Sequence, residues 1–120
     1  MEVGTDIVKI SRIKSIKKQD EFLNKNFAET EIEYINKKSD KAQTIAGLFA
    51  CKEAILKALG IGIGGGVRLN EICILHEQNG RPFVEITPQL NYFLNLKNCN
   101  TISVSISHDG DYAVAFCIIC

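Results

Sequence analysis

Three side chains of this 120-residue chain stand out for the chemistry they could do: Asp6, Glu53 and Lys57. Glu53 and Lys57 lie four apart in Lys52-Glu53-Ala54-Ile55-Leu56-Lys57, a spacing that puts both on one face of a helix. Such a pair is either a surface ion pair worth a few tenths of a kcal/mol or the acid and cation of a site. Two features raise the second reading. A glycine-rich stretch, Gly60-Ile61-Gly62-Ile63-Gly64-Gly65-Gly66, leaves directly after them, and the small Ala50, Cys51 and Ala54 are expected to leave room for a ligand. Asp6 sits inside an otherwise apolar strand, where a carboxylate must be exposed at the strand end, paired or bound to metal. Asp6 and Glu53 together would suit Mg²⁺, which takes a couple of carboxylates, several waters and substrate phosphates. A nearby lysine would then bind phosphate as a point charge.

The elements that must position these residues follow from periodicity. Residues 1–8 read as a strand. Ile7, Ile10, Ile13 and Ile16 recur every third residue through a basic stretch with Lys9, Arg12, Lys14, Lys17 and Lys18, which suits a short amphipathic helix. By charge alone that stretch is a solvated face. A short helical piece starts at Thr30–Glu33. The clearest element is a helix over 41–59, with Ile45, Leu48, Phe49, Ile55, Leu56 and Leu59 at helical spacing and Gly60 as its C-cap. Ile72–His76 and Phe83–Ile86 flank Asn79-Gly80, a hairpin signal whose two residues both accept positive φ. Pro88–Leu96 reads as a helix burying Leu90, Phe93, Leu94 and Leu96. Thr101–Ser107 and Tyr112–Ile119 read as strands joined by His108-Asp109-Gly110-Asp111. Helices mixed with antiparallel hairpins predict an α+β fold: one compact domain over 1–120, an antiparallel sheet and one long central helix.

Other chemistries are excluded or unsupported. The glycine loop has no Lys-Ser/Thr behind it and no strand before it, so it is neither a Walker A loop nor a dinucleotide fingerprint. Cys117 and Cys120 have metal-ligand spacing, but a structural zinc site needs four ligands. The five cysteines therefore read as small hydrophobes in a reducing cytoplasm. Lys and Arg balance Asp and Glu at 14 each, which gives no reason to expect nucleic acid. No apolar run nears the ~20 residues of a membrane span. Glu2 and Asp6 stand where a secretory leader carries cations, so a cytoplasmic location is expected.

Four segments together resemble one family. Gly4-Thr5-Asp6-Ile7-Val8 is similar to a G-x-D-[IL] opening. Phe49-Ala50-Cys51-Lys52-Glu53-Ala54 with Lys57-Ala58-Leu59-Gly60 is similar to F-A-x-K-E-A-x-x-K-A-[LF]-G. Val104-Ser105-Ile106-Ser107-His108 with Tyr112-Ala113 is similar to a terminal V-S-[IL]-[ST]-H and following Y-A, and Asn79-Gly80-Arg81-Pro82 to N-G-[KR]-P. In that order the chain resembles the holo-[acyl-carrier-protein] synthases, the small bacterial class of 4′-phosphopantetheinyl transferase.

The resemblance implies that phosphopantetheine moves from coenzyme A, the co-substrate, to a serine of apo-acyl carrier protein for fatty acid biosynthesis. It implies Asp6 and Glu53 as Mg²⁺ ligands, and Lys57 on the coenzyme A phosphates, with Glu53 and Lys57 catalytic. Gly60, Pro82, Ser107 and His108 would complete the coenzyme A site, Pro82 near the adenine and Ser107 and His108 at the 3′-phosphate. Arg12, Lys14 and Lys17 would face the acidic carrier protein. It also implies a homotrimer with active sites between subunits. The chain departs from the family at Leu48, where arginine is frequent, and at Ile61, where a threonine is usual. The competing readings are a non-catalytic acyl-carrier or nucleotide-binding module on the same fold, and another Mg²⁺-dependent nucleotide hydrolase. The first leaves two carboxylates and a lysine without a task, and the second leaves the basic stretch without one.

Overall fold

A computed structural model describes residues 1–120. In chain order the elements are β1 (Glu2–Lys9), α1 (Ile10–Lys14), α2 (Gln19–Asn26), α3 (Glu29–Asn36), α4 (Lys41–Leu59), β2 (Ile74–His76), β3 (Pro82–Val84), α5 (Pro88–Leu96), β4 (Ile102–Asp109) and β5 (Tyr112–Ile119). β1, β5 and β4 form an antiparallel sheet in that order, and β2 pairs with β3 in a separate hairpin. The fold is α+β, as the mixed pattern predicts.

The sheet alternates as strand geometry requires. Val8, Ala113, Ala115, Cys117 and Ile119 are buried against α4. On the other face Val3, Ile7, Tyr112, Val114 and Phe116 are exposed. α4 is capped by Asp40, whose carboxylate accepts from the Gln43 amide at 3.1 Å, and stops at Gly60 with φ +72°. Between those caps it is buried on nearly every side, in one core cluster of 28 residues. The small residues of α4 have a different use from the one expected. Ala50, Cys51 and Ala54 are wholly buried, and they make close approach possible rather than leaving space for a ligand. A Cβ on Gly4 would stand 2.0 Å from the Ala54 carbonyl oxygen and 2.7 Å from the Ala58 nitrogen. β1 and α4 thus touch backbone to backbone.

Other expectations need correction. The isoleucine repeat is not one helix: Ile7 belongs to the outer face of β1, and only Ile10 and Ile13 are buried by the five-residue α1. α2 was not expected, because it buries only Leu23 and has little apolar signal. Leu96 is exposed, as the last residue of α5. At the β2–β3 turn only Gly80 has positive φ (+89°), after a turn closed by the Gly80 amide on the Glu77 carbonyl at 2.9 Å. β4 runs on to Asp109, so His108 is a strand residue paired with Ala113, and the connection shrinks to Gly110-Asp111. Four of the cysteines are buried, and burial pushes the Cys51 and Cys117 thiols up to about 12.

Candidate active site

The contact of β1 with α4 brings Asp6 to the C-terminal half of α4. Asp6 is opposite Ala115 and so lies on the sheet face that α4 covers. The Lys57 ammonium donates to Asp6 Oδ1 at 3.1 Å and to the Thr5 carbonyl at 3.0 Å. The pair anticipated from spacing, Glu53 with Lys57, gives way to this one. Helical spacing made Glu53 available, but β1 supplies two oxygens at once. Glu53 is half-buried one turn earlier. Burial raises its pKa, the Asp6 charge raises it further, and Lys57 pulls it down. Asp6, Glu53 and Lys57 are therefore one electrostatic unit, with two carboxylates restrained by one cation.

A second group surrounds a cleft of about 160 Å³ between α3, the first half of α4, the β2–β3 hairpin and β4. Pro82 and His108 line it together with Tyr34, Gly47, Leu48 and His76. The His108 Nε2 lies 3.2 Å from the Gln43 carbonyl. A carbonyl only accepts, so Nε2 is the donor in this contact. Gly47 makes this possible, since a Cβ there would come within 2.9 Å of both His108 Nε2 and Ile106 Cγ2. A glycine mid-helix costs about 1 kcal/mol against alanine, a cost that the sequence reading left unused as a mark of this contact. Leu48 is buried in the cleft wall, as its place in the apolar repeat of the helix predicts.

Ser107 is not brought to this cleft. It pairs with Val114 on the outer face of the sheet, while His108 points inward. Gly60 caps α4 three residues after Lys57 and is exposed. Arg12, Lys14 and Lys17 are solvated on α1 and the turn after it, as the charge run suggested, just downstream of Asp6. What anchors α1 is Asp111, missed as a turn residue. Its carboxylate accepts from the Ser11 amide at 3.0 Å and the Ser11 hydroxyl at 2.8 Å, and its carbonyl accepts from the Ile10 amide at 2.7 Å.

The other residue missed is Lys52, beside Glu53 but turned inward. Its ammonium is fully buried, ion-paired with buried Glu31, and donates to the Leu69 and Ile72 carbonyls at 2.7 and 2.6 Å. Glu31 also accepts from the Ala28 and Ile74 amides at 2.8 and 3.0 Å. Burial raises the Glu31 pKa and lowers that of Lys52. Lys52 ties α4 to the chain behind the glycine loop, so it is a structural lysine within a chemical motif.

An α+β domain that gathers two carboxylates and a lysine where a strand crosses a helix, beside a small cleft, is the class that comparison with known proteins makes specific. The sequence profile of the 4′-phosphopantetheinyl transferase superfamily matches residues 2–117, and the chain belongs to that superfamily. Within it, the chain is 45% identical to a holo-[acyl-carrier-protein] synthase of Clostridium botulinum (strain Eklund 17B / Type B), over 98% of this chain and 94% of that one. Two crystal structures of holo-[acyl-carrier-protein] synthases superpose on it. The Helicobacter pylori protein in complex with coenzyme A has a TM-score of 0.85 at 34% identity, covering 98% of this chain and 99% of that one. The Neisseria meningitidis protein has a TM-score of 0.88 at 31% identity, covering 98% and 96%.

Proposed function

We propose that the chain moves the 4′-phosphopantetheine group of coenzyme A onto a serine of apo-acyl carrier protein, giving holo-carrier and adenosine 3′,5′-bisphosphate for fatty acid biosynthesis. The observation that carries this reading is the meeting of Asp6, Glu53 and Lys57 where β1 crosses α4, in a chain of this superfamily. A binding module on the same fold would have no use for two carboxylates held against each other.

Asp6 and Glu53 fit Mg²⁺. Asp6 is near enough to raise the Glu53 pKa. A donor set of two carboxylates suits an ion that also takes waters and substrate phosphates. When bound, the ion neutralises pyrophosphate charge. Lys57 binds the same phosphates and follows the charge that develops on the leaving group. The serine oxygen forms a bond to the phosphorus that carries the pantetheine arm. The bond from that phosphorus to the bisphosphate breaks. Glu53, beside Asp6 and Lys57, takes the serine proton.

Gly60 ends α4 beside Lys57, and Pro82 and His108 give the nucleotide its place in the cleft. Arg12, Lys14 and Lys17 steer the acidic carrier. The exposed apolar face of the sheet, with Ile7 62% and Phe116 43% exposed, is the surface on which three copies would close. Trimer closure would place Ser107, on that face, at a neighbour's coenzyme A, with active sites between subunits. No helix is long and apolar enough to cross a membrane. Residues 1–120 act as one domain in the cytoplasm. The test is incubation with coenzyme A, Mg²⁺ and apo-carrier, followed by mass spectrometry of the carrier. A mass gain of one phosphopantetheine that needs both coenzyme A and Mg²⁺ supports the reading, and an unmodified carrier defeats it.

A further inference from the structure

The short helix that carries Arg12 and Lys14 does not hold itself. α1 has five residues, far below the ~12–15 at which an isolated helix becomes even marginal in water. Its N-cap residue, Lys9, makes no side-chain capping bond, and no acidic residue stands in its first turn. Ile10 and Ile13 are buried and pin one side of it. Two buried side chains do not fix the direction in which the helix leaves β1. The missing cap comes from 100 residues downstream.

Asp111 supplies it. One carboxylate oxygen accepts from the Ser11 amide, the other accepts from the Ser11 hydroxyl, and the Asp111 carbonyl accepts from the Ile10 amide. The first two amides of α1 are thus both satisfied from outside the helix, which is the task of an N-cap. Asp111 is itself held in place. It sits half-buried between Gly110, at φ +58°, and Tyr112, which pairs with Lys9 at the end of β1 from which α1 departs. At the other end of α1 the Gln19 side chain donates to the Ile13 and Ile16 carbonyls at 2.9 and 2.8 Å. Between these two fastenings Arg12 and Lys14 are exposed, and the angle of α1 sets where their charges stand.

The geometry points to Asp111 and Ser11 as positioning residues for carrier docking: together they fix the angle of α1 and so present Arg12 and Lys14 to the acidic partner. This rests on the carrier reading above, in which those cations meet the carrier protein. The charge of Asp111 gives the inference a definite sign. As a bare anion beside a basic stretch, Asp111 repels an acidic carrier, so charge alone predicts tighter binding once it is removed. As a cap, it keeps α1 in the docking orientation. Its removal then lowers the competent fraction and weakens binding in proportion.

The experiment measures steady-state transfer with the carrier varied at saturating coenzyme A, and with coenzyme A varied at saturating carrier, beside thermal unfolding. Asp111→Ala, Asp111→Asn, Ser11→Ala and the double variant Ser11→Ala/Asp111→Ala are compared with wild type. The typical loss of a helix cap removes the ordered population by about fivefold, so KM for the carrier should rise about fivefold in Asp111→Ala. Both kcat and KM for coenzyme A should hold, a split that general loosening of the fold does not produce. Asp111→Asn loses the charge but keeps one acceptor, and should fall between wild type and Asp111→Ala. Ser11→Ala loses only the hydroxyl bond and should raise KM for the carrier by less. In the Asp111→Ala background it should add nothing, because its partner is already gone. Ser11→Ala also puts the best helix former at an exposed helical position, so it carries the test should Asp111→Ala not fold. A carrier KM unchanged or lowered in folded Asp111→Ala overturns the inference, as does one unchanged in Ser11→Ala where Asp111→Ala is unfolded. So does a fall in kcat with both KM values unchanged. A wild-type protein that transfers nothing, or whose carrier KM ignores Arg12→Glu, overturns the carrier reading and this inference with it.

Discussion

Lys57 separates a catalytic role from a structural one most sharply. Its only ion pair is with Asp6, at 3.1 Å, with side chains 56% and 20% exposed. Exposed pairs contribute ~0.2–1 kcal/mol, because water screens them and two side chains must be held still. Lys57→Ala should therefore lower Tm by at most about 5 °C. Removing one charge stabiliser from a reacting centre, by contrast, typically costs ~10²–10³ in kcat. The same substitution should cut transfer by that factor at saturating coenzyme A. Lys57→Arg keeps the charge but replaces a compact ammonium with a planar fork, so only part of the rate should return. There is also a readout independent of turnover. Lys57 is what holds the Glu53 pKa down against burial and Asp6, so Glu53 should titrate at higher pH in Lys57→Ala than in wild type. Carrier mass gain over time, thermal unfolding and carboxylate NMR give the three numbers. Turnover within about twofold of wild type in Lys57→Ala would refute the phosphate role.

Glu53 gives the pH prediction. Its folded pKa is raised, so its contribution to stability is fully present below the ordinary glutamate value of 4.5 and is lost as pH rises through the folded value. Glu53→Gln should match wild type in Tm at low pH and exceed it at neutral pH by about 2 °C, on the order of 0.5 kcal/mol for a group this exposed, while losing transfer. Lys52→Met should lower stability by ~3–5 kcal/mol, because it leaves Glu31 charged and buried without its partner; chemical denaturation measures this. Arg12→Glu should raise KM for the carrier, with salt sensitivity reduced and coenzyme A binding unchanged, as measured by steady-state kinetics at several ionic strengths. If copies close on the outer sheet face as proposed, Phe116→Glu, which puts a charge on that face, should lower the mass seen by light scattering to that of a monomer.

Local signals set most of the fold. The helical repeat of α4, its αL glycine and the two strands of the last hairpin were all legible, because each is written within one element. α2 was not, since one buried leucine is too little pattern to read. The carboxylates and lysine of the site were legible as residue types, but their partners were not. Helical spacing offered Glu53 to Lys57, and tertiary contact gave Lys57 to Asp6 instead. Lys52 was the harder case. It sits beside Glu53 in sequence, yet one residue of rotation turns it into the core, toward a glutamate on another helix and two carbonyls that no periodicity marks.

Gly4 shows why the first two motifs belong together. Read alone, it is a glycine in a strand, a weak position. Read alone, Ala54 and Ala58 are good helix formers. In the fold they are two sides of one contact, with an added Cβ placed 2.0 Å from a backbone oxygen. That contact sets the distance from Asp6, two residues along β1, to Glu53 and Lys57 on α4. Any side chain at Gly4 would push β1 outward and part the carboxylates. The glycine and the alanines therefore act on the chemistry without touching it. Their spacing in the two motifs records where the strand must cross the helix for one lysine to reach an aspartate and a neighbouring carbonyl together.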